Sequence, residues 1–200
     1  MWRRVLVPLV VVGVALALWF WPERGDDPRH DFGSDVRECT QNLRTIYAGL
    51  RRYHELHGTL PQGSGAAFLL ELLGDALPDD AEHRAALTCP GPGAEPVPPG
   101  LDLSDLAKRT PSASAYAGRD MVHFPLTKFP SGGAELEPLA ACDNAEGWNH
   151  DKVLNVLYSD GSVVTLSLER LVEQNRVPPG TTALPVGPDS PLEELRKLSD

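Results

Sequence analysis

Aromatic residues are scarce, at 6% of the chain, and no cluster of lysine and arginine has aromatics interleaved with it. Basic residues are outnumbered, 18 Lys and Arg against 28 Asp and Glu, giving a formal net charge of −10. A nucleic acid backbone is therefore excluded as a partner. Chain breakers are plentiful, 18 glycines and 19 prolines in 200 residues, which argues against an all-helical bundle or a long coiled coil. Motifs for nucleophilic catalysis are absent, and no enzyme is expected. Ser162 follows a turn glycine without the strand-turn-helix context of a nucleophile elbow, and Cys142 precedes Asp143, whose charge disfavours a thiolate. Cysteines number three, Cys39, Cys89 and Cys142, separated by 50 and 53 positions. Those spacings match no zinc-binding pattern, so no structural zinc is expected.

What is present suffices for one domain with appendages: 21.7 kDa, 42% hydrophobic and 23% charged. Trp2, Arg3 and Arg4 precede an apolar run from Val5 to Trp21 that closes on Trp19, Phe20 and Trp21. As a helix this run spans roughly 25 Å, near the lower limit for a bilayer core of about 30 Å. The charge asymmetry predicts a single-pass inner-membrane anchor over 1–21, N-terminus cytoplasmic, with the rest periplasmic. A cleaved signal peptide ending at Ala15-Leu16-Ala17 is the alternative, disfavoured because it leaves Leu18 to Trp21 exposed. Either reading permits one disulfide among the three cysteines, with one thiol left over and the pair undetermined.

Residues 22–34 read as a linker, and 35–177 as the globular domain. Leu43, Ile46, Tyr47, Leu50, Tyr53 and His57 fall at helical spacing, with Asp35 and Glu38 as an expected capping box and Gly58 as the stop. A second helix is expected over 66–77, and strands over 121–124, 136–141 and, as a short one, 85–88. The clearest strand signal is Val153 to Tyr158 and Val163 to Leu168 around Asp160-Gly161. A two-residue type I′ turn would set Ser159 opposite Ser162, Leu157 opposite Val164, Asn155 opposite Leu166 and Val153 opposite Leu168. One face would then carry Val153, Leu157, Val164, Leu166 and Leu168 against the long helix. Residues 178–200 read as a flexible Pro/Gly-rich tail.

The segments Cys39-Thr40-Gln41-Asn42-Leu43-Arg44-Thr45-Ile46 and Tyr53-His54-Glu55-Leu56-His57-Gly58-Thr59-Leu60-Pro61 carry a family resemblance. Thr88-Cys89-Pro90, Ser114-Ala115-Tyr116, and His150 followed nine residues later by Asp160-Gly161 continue it in order. Over residues 39–170 the chain resembles the planctomycete-type pilin-like and pseudopilin-like proteins with a C-terminal H-x9-DG element, although the N-terminal prepilin motif is missing. The resemblance implies an α+β, pseudopilin-like fold, with a long helix laid on a small antiparallel sheet behind the membrane helix. It also implies a structural or interaction role in a type II secretion-like or other cell-envelope assembly, with envelope or secretion proteins and the inner membrane as partners and no enzymatic activity.

The resemblance also points to calcium, which major pseudopilins bind in a loop near the C-terminal end. Asp143, Asn144, Glu146 and His150 are the candidate ligands here, and an extracytoplasmic binding module for calcium or a small ligand is the alternative function. No other cofactor is expected. His150 and Asp160 cannot share an ion if a strand separates them by roughly 30 Å. Asp160 and Gly161 are therefore assigned to the turn and His150 to the start of the strand. His54 and His57 stand three apart on the helix without a third ligand, so packing is the preferred reading.

Overall fold

The computed structural model describes residues 33–90, 97, 116–131, 136–142 and 149–199. All of them fall in one unit, Asp31–Asp200. Helix α1, Ser34–His57, buries Val36, Cys39, Leu43, Ile46, Gly49 and Leu50 along one stripe, as the apolar spacing requires. It ends at Gly58, whose left-handed φ of 72° lets its amide bond the His54 carbonyl. Its start differs from expectation: the helix begins at Ser34, so Gly33 holds the cap position without a side-chain bond and Asp35 lies in the first turn, bonded to His150.

Two short helices follow, α2 (Ala66–Leu70) and α3 (Ala81–Ala86), the latter capped by Asp80. The sheet comprises β1 (Tyr116–Arg119), β2 (Pro138–Cys142), β3 (Val153–Tyr158), β4 (Val163–Ser167) and β5 (Leu198–Ser199). Its order is β4-β3-β2-β1-β5 and every pairing is antiparallel. Helix α4, Leu168–Glu173, leaves β4 directly, and a 3₁₀ helix, Glu193–Lys197, precedes β5.

Among the described residues no helix is long and apolar enough to cross a membrane, and α1 alone exceeds seven residues. Its 24 residues would reach far enough, but Arg37, Glu38, Arg44, Arg51, Arg52 and Glu55 stand exposed along it. The expected fold class with a membrane helix, and the single-pass inner-membrane placement, are corrected accordingly: the fold is α+β, a five-stranded antiparallel sheet with one long helix. The expected anchor over 1–21 lies outside the described residues.

The hairpin forms where expected, with a different register. Val153 pairs with Ser167, Asn155 with Thr165 and Leu157 with Val163, one residue off the expected pairing. The loop holds three residues rather than two. The Gly161 amide bonds the Tyr158 carbonyl at 2.9 Å, and Gly161 takes φ of 87° as the bulge residue after a type I turn. Ser162 donates to Asp160 Oδ1 from both its amide and its hydroxyl, so Asp160 is the turn residue. A slip of one exchanges faces. The expected face of Val153, Leu157, Val164, Leu166 and Leu168 is therefore split, and fully buried Asn155 meets α1 on the same side as Leu157. Its amide donates to the Val36 carbonyl at 3.1 Å and to Thr40 Oγ1 at 3.3 Å, while its carbonyl accepts from Thr165 at 2.7 Å.

Residues 178–199 are packed rather than a loose tail. Leu184, Val186, Leu192, Leu195 and Leu198 are buried, the 3₁₀ helix touches β2, and β5 extends the sheet beside β1. Each fully buried leucine contributes roughly 1.5–3 kcal/mol, so the prolines and glycines here shape turns in a folded segment. Residues 121–124 form a turn and 85–86 close α3, so neither becomes a strand. Strand β1 escapes the sequence pattern because it carries Gly118, where a Cβ would sit 2.2 Å from the Gly65 carbonyl oxygen.

Buried Arg119 donates to Glu137 Oε2 and to the Pro138 carbonyl, both at 2.9 Å, and Lys197 also bonds Glu137 at 2.9 Å. Burial opposes the Glu137 charge, yet the bonds from Lys197 and Arg119 hold its carboxyl below the usual glutamate value. A depressed folded value means stability present above the unfolded pKa of about 4.3 and lost as pH falls through the folded one. Between pH 6 and pH 3 the parent should lose more stability than Glu137→Gln in denaturant titrations, and equal losses would refute this role. Gly161→Val should destabilise by about 2 kcal/mol or more, since it strains φ and a Cβ would lie 2.5 Å from the Tyr47 ring. A melting temperature within a degree of the parent would contradict the turn assignment.

Candidate metal centre

The three cysteines and His150 come from four separate elements. Cys39 lies on the second turn of α1, Cys89 follows α3, Cys142 ends β2, and His150 bridges to Val153 at the start of β3. All four are buried, and their ligand atoms lie within 4.8 Å of one another. Cys39 Sγ is 3.2 Å from Cys142 Sγ, Cys142 Sγ is 3.8 Å from Cys89 Sγ, and Cys89 Sγ is 3.1 Å from His150 Nε2. No disulfide joins them, since an S–S bond is about 2.05 Å long.

Behind the imidazole stands the carboxylate of Asp35. His150 Nδ1–H donates to Asp35 Oδ2 at 3.0 Å, which turns Nε2 toward Cys89. That bond holds the Asp35 carboxyl below the usual aspartate value. Burial works against a charged His150, but the Cys39 sulfur and Asp35 raise it above the ordinary histidine value. Hydrogen bonds from Cys142 and Cys89 hold the Cys39 thiol far below its usual range, whereas burial pushes the Cys142 thiol well up.

This buried Cys3His group can bind a metal. Tetrahedral zinc with Zn–S bonds of about 2.3 Å has S···S edges of about 3.8 Å, close to the separations of these donors. A carboxylate bonded to the far nitrogen of a ligating histidine is the usual outer support of such a centre. The sequence Cys89, His150, Asp35 also has the order of a nucleophile, base and orienting acid. The Cys89 residue and the His150 side chain are both at 0% exposure.

The expectation of no structural zinc rested on spacing, and spacing detects ligands that share a knuckle or hairpin. Here each ligand comes from a different element, so only the fold brings them together. One signal was available: Cys39, Cys89 and His150 each sit in a segment that carries the family resemblance. His150 lies beside the start of β3 with its imidazole facing Cys89. Asp143, Asn144 and Glu146 lie outside the described residues. His54 and His57 face different partners, the Phe129 ring at 5.6 Å and the Asp75 carboxylate at 2.8 Å. Asp160 and Gly161 remain turn residues at the far end of β3.

No protein-family model matches the chain, and neither a curated protein nor a solved structure matches it. Asp35→Ala, which removes the support behind His150, should weaken zinc affinity about 10–100-fold in a competition titration. Unchanged affinity would show that Asp35 serves the helix alone.

Proposed function

We propose that the chain is a structural or interaction domain of pseudopilin-like character, closed by one zinc ion on Cys39, Cys89, Cys142 and His150. The observation that carries this reading is the complete donor set: three sulfurs and one imidazole nitrogen, sealed from solvent, with Asp35 behind the imidazole. Four protein ligands fill the coordination sphere of zinc, and catalytic zinc sites keep a position open for water or substrate. Softness of the ligands favours zinc over calcium, which takes oxygen. The pseudopilin-like character is supported by the long helix α1 lying against an antiparallel sheet. In this reading the domain acts by contact with other proteins, such as the components of a secretion or envelope assembly, and performs no chemistry of its own.

The purified full-length chain should contain one zinc per molecule by elemental mass spectrometry. Stripping the ion with a chelator should lower the melting temperature by at least about 10 °C. Structural zinc contributes several kcal/mol, and each ~1 kcal/mol moves the midpoint about 2–4 °C in a chain of this size. Cys89→Ser should lose the zinc and His57→Ala should keep it. A metal-free protein whose melting is indifferent to added zinc would overturn the reading.

A further inference from the structure

We propose, resting on the zinc reading above, that the centre is also an oxidation site: peroxide joins Cys39 to Cys142 and expels the ion. Three cysteines offer three pairs, and the shortest separation recorded points to Cys39–Cys142 ahead of Cys89–Cys142. Cys39 and Cys142 approach to 3.2 Å, against 3.8 Å for Cys89 and Cys142. A bond of about 2.05 Å asks the first pair to close by about 1.2 Å and the second by about 1.8 Å. Cys89 is held apart by its contact with His150 Nε2 at 3.1 Å, and Asp35 fixes that imidazole from behind at 3.0 Å. Cys89 is thus the thiol left over. The joined residues lie 103 positions apart, on α1 and at the end of β2, so the bond replaces one tie between helix and sheet with another.

The step balances with hydrogen peroxide as oxidant. One sulfur of the pair attacks a peroxide oxygen: an S–O bond forms, the O–O bond breaks, and the departing hydroxide takes a proton to become water. The second sulfur then attacks the first: the S–S bond forms, the S–O bond breaks, and hydroxide again leaves as water. Each sulfur gives up one electron and the peroxide gains both, with two protons drawn from solvent. Only Cys89 and His150 then remain as donors, too few to hold an ion that takes four ligands. Complete burial of the cysteines favours a reagent as small as peroxide.

The test uses zinc-loaded full-length protein. Its metal content is measured first, then peroxide is added with a chromogenic chelator present. Remaining thiols are alkylated and the bonds are mapped by peptide mass spectrometry. One zinc released per chain, a Cys39–Cys142 bond and an alkylated Cys89 are expected. A dithiol followed by zinc should restore the starting metal content. Cys89→Ser should still form the bond, and Cys142→Ser should form none. A bond to Cys89, sulfinic acid without any S–S bond, or zinc retained with all three thiols intact would overturn the proposal. Absence of zinc at the outset would instead sink the metal reading itself, so the two failures are separable.

Discussion

The fold depends on how the first two turns of α1 are held against the sheet. Asp35 bonds His150, Val36 and Thr40 receive the Asn155 amide, and Cys39 meets Cys142. All of these contacts are polar or soft, and all are buried or half-buried. Beyond Cys39 the character changes: Leu43, Ile46 and Leu50 pack as ordinary core, and Tyr47 lies over Gly161. Polar groups are costly in a dry interior unless each finds a partner. Asn155 satisfies itself through Val36, Thr40 and Thr165. Three thiols and an imidazole satisfy one another only partly, since a sulfhydryl is a weak donor and a weak acceptor. An ion bound by all four would turn that weakness into a tie between helix and sheet.

Such a tie suits this chain. The described fold has one long helix, three short ones and a sheet whose end strand has only two residues. Cys39, Cys89, Cys142 and His150 are far apart in sequence, and fixing them at one point removes much of the freedom of the unfolded chain. The glycine- and proline-rich composition argues the same way, because long irregular connections leave fewer backbone bonds to hold the layers together.

The long helix and the hairpin were legible because each rests on local chemistry. Apolar residues every three or four positions have one reading, and Asp-Gly between β-branched runs has nearly one. The register was not legible: two-residue and three-residue loops both use Asp160-Gly161, and only the bond from Gly161 to Tyr158 decides between them. Strand β1 was hidden for a different reason. Gly118 is there to let the Gly65 backbone approach, and such closeness leaves no periodic signal. The buried leucines after residue 183 were visible, but the surrounding prolines and glycines suggested looseness where they shape turns. The Cys3His group lay wholly beyond local pattern, since four side chains from four elements converge only through tertiary structure.

Zinc and disulfide would not be equivalent closures of this fold. The ion would join α1, the segment after α3, the end of β2 and the start of β3 at one point. A Cys39–Cys142 bond keeps only the first of these tied to the third. Released from the metal, Cys89 keeps its contact with His150, and His150 keeps Asp35, so the start of β3 stays linked to α1 through a chain of hydrogen bonds rather than coordination. The long helix therefore remains anchored in either state, by Cys39 in both and by Asn155 throughout. What differs is how firmly residue 89 and the start of β3 are held, so a change of state would be felt first at that end of the sheet and least at the Asp160-Gly161 turn.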